Sequence, residues 1–344
     1  MRLFSVFFIV VLSVFTGCDQ PKNEAGGEQQ ELSDTSYSSP AGSFYFVAQF
    51  EGKNALYSHP LEGGENEIIW SSRTESVVEV LYSPDMRRLY FITSPDYGKR
   101  GVFSYFSKLK LYFMETAADK KVTQLVQPGD CVNYRLFFEN EDMLKLEINM
   151  FADNEHKSVK HTEWVFDAAG KNLEKKDNIV DITVEGFPQL GKPPIDFVSA
   201  DGKYSLAINK EEMVVVKELS QRGYDEIIKA DKPLSRIGFS ATNDKVVFTK
   251  VDVSPSNETL YDESPQTSEL IVYSILNKKI GMHVKGSGLK NFIIMGDILI
   301  YDDGFGPKSE IAVINLKTLK ELKRFSVKGG AGLFNIPTIP NYEA

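Results

Sequence analysis

Residues 81–93, LYSPDMRRLYFIT, have the pattern of a β-strand, a tight turn and a second β-strand. Ser83, Pro84 and Asp85 favour the turn, because proline presets its own φ and the other two side chains bond to nearby backbone. The apolar run 89–92 then begins the second strand. The pattern recurs in FVSADGKYSLAI (197–208) and GFSATNDKVVFTK (238–250), and more loosely in LFFENEDMLKLEI and FIIMGDILIYDD. The sequence therefore predicts a protein built from repeats.

After residue 42 the chain divides into units of roughly fifty residues, a period typical of propellers and solenoids. Hairpins of a third and a fourth strand occur six times, at 55–70, 111–126, 163–176, 213–229, 270–284 and 311–327. Hairpins of a first and a second strand occur five times, near Tyr82, Phe138, Val198, Phe239 and Ile294. The first unit instead opens with its second strand, 43–50, and one apolar fragment, 332–337, is left over.

These counts predict an all-β fold, a six-bladed β-propeller of four-stranded antiparallel blades. The fragment 332–337 would supply the inner strand of the first blade, because a closed ring removes the open sheet edge. We expect residues 43–337 to form the propeller and 338–344 a C-terminal tail. A pair of irregular β-sandwiches with similar hairpins is the alternative fold.

Ser83-Pro84-Asp85, Ser199 with Asp201-Gly202-Lys203, and the turn 61–64 resemble the repeat of TolB-type β-propellers. The resemblance covers residues 43–337 and implies the fold. It implies little about function, since the same repeat occurs in binding proteins and in propellers that gate peptidases. TolB also has an additional N-terminal α/β domain, which the first forty residues here are too few to form, so the resemblance does not extend to its role in the Tol system.

The N-terminus has the form of a bacterial lipoprotein signal. Arg2 supplies one positive charge, and the apolar segment 3–15 is too short to span a bilayer. The segment ends in Phe15-Thr16-Gly17-Cys18, which resembles the lipobox before a lipid-carrying cysteine, with Phe15 where leucine is usual. We therefore expect removal of residues 1–17 and lipidation of Cys18. A plain secretory signal with an incidental cysteine is the alternative.

Residues 18–42 are rich in Gln, Glu, Gly, Ser and Asn and contain almost no large apolar residue. Such a segment cannot bury enough surface to offset its ordering entropy, so we expect a flexible tether. The protein would be exported and anchored by lipid to a membrane of the bacterial envelope, on its periplasmic side. With Cys18 acylated, Cys131 has no cysteine partner and is predicted to be a buried, inert thiol.

The composition is that of a globular protein, with 42% hydrophobic and 25% charged residues in 344. The net charge is −9, and removal of Arg2 with the signal would make it −10. A chain this acidic lacks the basic surface that nucleic-acid binding requires, so no nucleic-acid partner is expected.

The sequence contains no recognisable catalytic motif. His59, His156, His161 and His283 lack the spacing of a metal site and are interpreted as solvated loop residues. Asp297, Asp302 and Asp303 lack the alternating oxygen ligands of a calcium loop and are interpreted as solvated strand ends. A Gly-x-Ser-x-Gly elbow, a phosphate loop and a dinucleotide fingerprint are all missing from the sequence. We therefore expect no catalytic residues, no metal and no cofactor.

Long connections at 94–110, 151–162, 181–194 and 252–267 should emerge on one face of the ring, and loops of this length are usually functional. The first of them contains a basic aromatic patch, of the composition that interface centres favour. Its candidate partner-binding residues are Tyr97, Arg100, Phe103, Tyr105, Phe106 and Lys108. In the alternative interpretation, part of 103–106 is an early start of the third strand.

These observations predict a membrane-tethered, non-enzymatic propeller that binds one or more envelope proteins through its long-loop face. The tether would raise the effective concentration of the propeller near the membrane. One alternative is a small molecule or glycan bound in the axial channel, which a deep polar channel ringed by carboxylates and aromatic residues would favour. Another is a cryptic lyase or hydrolase, which would need converging titratable residues at the channel mouth.

Overall fold

The computed structural model describes residues 42–100, 103–116, 120–167, 169–188, 190, 198–232, 234–251, 267–287, 291–303 and 309–327. These residues form 23 β-strands and one four-residue helix. The strands lie in six antiparallel sheets, here called A to F in chain order. The predicted all-β class is therefore confirmed.

Sheets A to C contain the first twelve strands. Sheet A is β1 (Ser43–Phe50), β2 (Lys53–Pro60) and β3 (Glu67–Trp70). Sheet B is β4 (Ser76–Tyr82), β5 (Arg88–Ser94), β6 (Tyr97–Arg100), β7 (Phe103–Glu115) and β8 (Thr123–Cys131). Sheet C is β9 (Asn133–Asn140), β10 (Met143–Phe151), β11 (Ser158–Asp167) and β12 (Asn172–Asp181). The helix α1 (Ile182–Glu185) follows sheet C.

Sheets D to F contain the remaining strands. Sheet D is β13 (Tyr204–Ile208), β14 (Met213–Glu218) and β15 (Asp225–Lys229), and a single bridge from Val198 to Ser205 precedes it. Sheet E is β16 (Leu234–Phe239), β17 (Lys245–Val251), β18 (Thr267–Ser274) and β19 (Lys279–Ser287). Sheet F is β20 (Phe292–Met295), β21 (Ile298–Asp303), β22 (Glu310–Asn315) and β23 (Lys320–Ser326). All eleven predicted hairpins are present, the one near Val198 as this single bridge.

Most neighbouring sheets pack face to face through shared apolar clusters. One cluster joins sheet A to sheets B and F, and others join B to C, D to E, and E to F. The last sheet therefore packs against the first. At this seam the ring of Phe325 lies 5.5 Å from that of Phe46, and Lys323 Nζ lies 2.9 Å from His59 Nε2. This arrangement confirms the predicted β-propeller.

Sheet A lacks a first strand among the described residues, and Tyr82 of sheet B reaches its inner edge. The Tyr82 hydroxyl accepts a hydrogen bond from Tyr45 N at 2.7 Å and donates one to Tyr45 O at 3.2 Å. One side chain thus satisfies both backbone groups of a residue that has no exposed surface. The predicted closing strand, 332–337, lies outside the described residues, so closure of a six-bladed ring by that strand stays a prediction.

Each sheet has a short-turn end, which carries the turns between its first and second and its third and fourth strands. In sheets B, D and E the first of these turns is built on a buried serine: Ser83, Ser199 and Ser240. Each serine Oγ accepts a hydrogen bond from the backbone N–H five residues later and donates one to an aspartate, Asp85, Asp201 or Asp244. The residue three positions after the serine has a positive φ, and glycine occupies that position only in sheet D, at Gly202. The repeated sequence pattern is therefore this hydrogen-bonded turn.

The opposite, long-loop end carries the connections between second and third strands and those between sheets. The predicted loop 151–162 is wrong in extent, because β10 and β11 leave only residues 152–157 between them. Residues 103–106 belong to β7, which confirms the alternative interpretation of that segment. Within the described residues, no helix is long and apolar enough to cross a membrane.

Candidate functional site

The predicted partner-binding residues lie on a hairpin that projects from the long-loop end of sheet B. Strand β7 has 13 residues, and β6 pairs with its first part, with Tyr97 opposite Phe106 and Arg100 opposite Phe103. Contacts from sheet A hold the base of the hairpin, since Lys53 Nζ donates to Pro95 O at 2.9 Å and Asn54 Nδ2 donates to the Tyr97 hydroxyl at 3.2 Å. The hairpin is thus fixed to two sheets.

The predicted residues of this hairpin divide into buried and accessible ones. Phe106 is buried, stacks on Tyr97 at 6.4 Å and meets Tyr134 edge-on at 4.8 Å, so it supports the hairpin from beneath. Tyr105 is partly exposed, and its hydroxyl lies 3.3 Å from the Asp96 carboxylate. Lys108 is exposed. Arg100 lies in β6 and Phe103 in β7, and for these two residues the structure describes the backbone only.

Sheet C adds aromatic residues beside this hairpin that the sequence analysis did not select. Phe151 stacks on His156 with ring centroids 4.1 Å apart and meets Phe187 edge-on at 6.4 Å. The side-chain amide of Asn149 holds this group by donating to Pro188 O at 2.8 Å, and the contact of Phe106 with Tyr134 on β9 joins sheet B to sheet C. We call the set Tyr97, Tyr105, Phe106, Phe151, His156 and Phe187 the B–C crest.

The charges around the crest are more balanced than the sequence suggested. Lys110 is bound to the Glu75 carboxylate, which also accepts from Thr93 Oγ1 at 2.8 Å. The backbone N–H of Lys108 donates to Asp130 at 2.8 Å. The basic character predicted for this segment is therefore partly neutralised by acidic neighbours from other parts of the chain.

A second group of polar residues lies on the first strands of the sheets, which face a common axis. Arg236 on β16 interacts electrostatically with Tyr82 on β4, although sheets E and B are not neighbours in the packing order. Burial lowers the pKa of Arg236 to about 10, while Asp302 and Tyr82 act in the opposite direction. The guanidinium carbon also lies 5.8 Å from the ring centre of Phe292.

Glu79 on β4 is the most perturbed carboxyl group of this inner set. Burial raises its pKa to about 8, although a hydrogen bond to Tyr134 and the charge of Arg135 oppose the shift. Its Oε2 atom has no hydrogen-bond partner among the described residues. A buried carboxyl with such a pKa is mostly protonated at neutral pH, so it can donate a hydrogen bond. Sequence reasoning missed Glu79 because nothing local in EVLYS distinguishes it from a solvent-facing strand residue.

The interpretation of the histidines as solvated loop residues is wrong for three of the four, and that of Asp302 as a solvated strand end is also wrong. His161 lies in β11 with its Nδ1 2.8 Å from Asn149 Oδ1, and His283 lies in β19 with its Nε2 2.7 Å from Glu269 Oε2. His59 is buried, bonded to Asn66 Oδ1 at 2.7 Å, and burial lowers its pKa, so it is not a solvated loop residue. Asp302 is also buried instead of solvated. The expectation for Cys131 is confirmed, since the thiol is free and buried and burial raises its pKa. Among the described residues, no group of three or more potential metal ligands occurs. Cys18 lies outside the described residues.

No protein-family model and no curated protein matches the chain. Solved structures do match. TolB from Acinetobacter baumannii has a TM-score of 0.45 and 10% identity over 84% of this chain and 65% of its own. A nidogen/laminin complex has a TM-score of 0.42 and 9% identity over 84% and 96%. AztD from Citrobacter koseri has a TM-score of 0.41 and 10% identity over 86% and 96%.

The chain thus spans less than two thirds of the length of that TolB structure. Likenesses at this level carry no argument about a partner or an activity. The β-propeller fold rests on the order of the sheets and on the packing of the last sheet against the first, as the repeat predicts.

Proposed function

We propose that the protein is a lipid-anchored, non-enzymatic propeller of the bacterial envelope that binds a protein partner through the B–C crest. The observation that carries the proposal is the crest itself. Two adjacent sheets place aromatic residues at their long-loop ends, accessible except for the supporting Phe106 and held by contacts from sheet A and from Asn149. Rigid aromatic side chains supply much contact area at little entropic cost.

The choice of variants follows from the burial of the hairpin residues. Deletion of residues 94–110 would remove Phe106 and Leu109 from the core, so loss of binding would not distinguish a damaged fold from a lost interface. A photoreactive amino acid at position 105 or 156 leaves the core intact. Leu322 on β23 is exposed and distant in sequence from the crest, so position 322 provides the matched control.

The experiment is photo-crosslinking in cells, with the full chain in its membrane. We expect one discrete protein adduct from positions 105 and 156 and none from position 322, with mass spectrometry to identify the partner. Adducts of equal yield from all three positions, or none from the crest, would contradict the proposal.

For the anchor, we expect Cys18→Ser to release the protein from membranes with an unchanged thermal unfolding midpoint. If the serine variant still sediments with membrane after a high-salt wash, lipid at Cys18 is not the anchor.

The inner polar group favours a second candidate function, the binding of a small polar molecule along the axis. Glu79 can donate a hydrogen bond. Burial disfavours the positive charge of Arg236, and an anionic group of a ligand would stabilise that charge. A thermal-shift screen with monosaccharides and free amino acids tests it. A ligand that raises the unfolding midpoint of the wild-type protein but not of Arg236→Gln would support this candidate.

A further inference from the structure

The propeller domain begins at the short-turn end of sheet A. Because β1 occupies the second-strand position, it runs from the short-turn end towards its connection with β2 at Glu51 and Gly52. Gly42 lies beside Leu61 at that end, since Leu61 N donates to Gly42 O at 2.6 Å. Any chain that precedes residue 42 therefore joins the propeller at its short-turn end, opposite the B–C crest.

The same end carries exposed apolar side chains in the outer turns of sheets D and E. Leu219 and Tyr224 lie in the turn between β14 and β15, and Leu276, which is 74% exposed, lies in the turn between β18 and β19. One contact joins the two turns, from Lys278 Nζ to Asp225 at 2.9 Å. We call Leu219, Tyr224 and Leu276 the D–E patch.

An open groove of about 390 Å³ adjoins the patch. Leu276 lines it together with Lys203, Tyr204, Asn243 and Lys317, which come from the short-turn ends of sheets D, E and F. The three sheets therefore share one face here, and the patch is continuous with it.

The lysines around the patch are paired with acidic residues. Lys203 lies 3.4 Å from Asp201, Lys278 lies 2.9 Å from Asp225 and Lys317 lies 2.8 Å from Asp297. The patch therefore presents apolar groups among paired lysines, with the exposed Arg222 of the β14–β15 turn as a cation beside it. Leucine with tyrosine and long lysine stems is a composition that suits the boundary between lipid headgroups and acyl chains.

We infer that the D–E patch rests on the lipid surface to which the protein is anchored. The inference rests on the proposed lipidation of Cys18. The tether that the sequence predicts, 24 residues from 19 to 42, would have a root-mean-square length of about 27 Å, which would keep the short-turn end close to the bilayer. Three exposed apolar side chains bind a membrane weakly by themselves, but the anchor removes most of the entropic cost. The B–C crest then faces away from the membrane.

The test uses residues 18–344 with Cys18→Ser and an N-terminal histidine tag that attaches the chain to vesicles containing nickel-chelating lipid. An environment-sensitive fluorophore is attached at Leu276→Cys, and in a second protein at Val184→Cys. Val184 is 80% exposed at the long-loop end of sheet C and serves as the matched control. Cys131 is buried, so we expect the label to react at the introduced cysteine.

With vesicles present, we expect the label at position 276 to shift its emission to the blue and to lose quenching by aqueous iodide. The label at position 184 should change in neither respect. The response should appear on phosphatidylcholine vesicles as well as on vesicles that contain phosphatidylglycerol, because apolar side chains carry it and the three lysines are paired. Equal behaviour of the two labels, or a response that requires anionic lipid, would overturn the inference. Because the tag replaces the acyl chain, failure of lipidation at Cys18 is detected separately, by mass spectrometry of the N-terminal peptide from cells.

Discussion

The two ends of the sheets are built in different ways. At the short-turn end, sheets B, D and E repeat one serine-centred turn with the same hydrogen bonds. At the long-loop end, sheet A has a two-residue turn, sheet B a projecting hairpin and sheet C a short helix. The comparison shows that one end is specified by residues within each turn, whereas the other depends on contacts between distant parts of the chain.

The largest expected effect separates structure from binding within the crest. Phe106→Ala should lower the free energy of unfolding by about 3 to 5 kcal/mol, because it leaves a cavity between Tyr97 and Tyr134. Tyr105→Ala, one residue away and partly exposed, should change it by less than about 0.5 kcal/mol. Urea unfolding of both variants measures the difference. Equal losses would mean that the hairpin is not divided into a buried and an accessible side.

The short-turn end was largely predictable from sequence. Ser83-Pro84-Asp85 and Ser199-Ala200-Asp201 predict tight turns because their own side chains make the bonds that fix them. Strand positions followed from the same repeat, since a turn of this kind fixes the register of the two strands that it joins. The β-propeller could therefore be predicted without any knowledge of contacts between sheets.

The candidate sites were less predictable, because their chemistry is set by residues far apart in the sequence. The raised pKa of Glu79 arises from burial between sheets B and C, next to Tyr134. His59 is buried because Phe325, 266 residues later, covers it at 4.9 Å. Phe106 looks like a patch residue in the sequence but points into the core. Composition can select a segment, but only packing decides which side of it is accessible.

A smaller effect concerns the pH dependence of stability, which Glu79 should control. Its pKa rises from the ordinary 4.5 to about 8 on folding, so the folded protein binds one more proton than the unfolded chain between these values. The free energy of unfolding should therefore fall as pH rises from about 5 to 9, by about 2 to 4 kcal/mol from this group. Glu79→Gln should remove that contribution, and unfolding at pH 5, 7 and 9 measures it.

The comparison with wild type isolates Glu79 from other titrating groups, which the substitution leaves in place. The glutamine variant should be the more stable protein at pH 9, and its advantage should shrink as the pH falls towards 5. A constant difference between the two proteins across this range would mean that Glu79 is ionised in the folded state. The axial site would then lack the hydrogen-bond donor that the second candidate function uses.

The smallest effect tests whether the serine-centred turns are equivalent. Each buried Oγ satisfies one backbone N–H, at 2.9 Å in sheets B and D and 3.1 Å in sheet E. Ser83→Ala, Ser199→Ala and Ser240→Ala should each cost about 1 to 3 kcal/mol, because a buried donor loses its partner. Ser220→Ala in an exposed turn of sheet D is the matched control and should cost less than about 0.5 kcal/mol. The three losses in the free energy of unfolding should agree to within the change that the control variant shows. If they differ by more, the surrounding sheets determine the stability of each turn. The contrast between the two ends of the molecule would then be wrong.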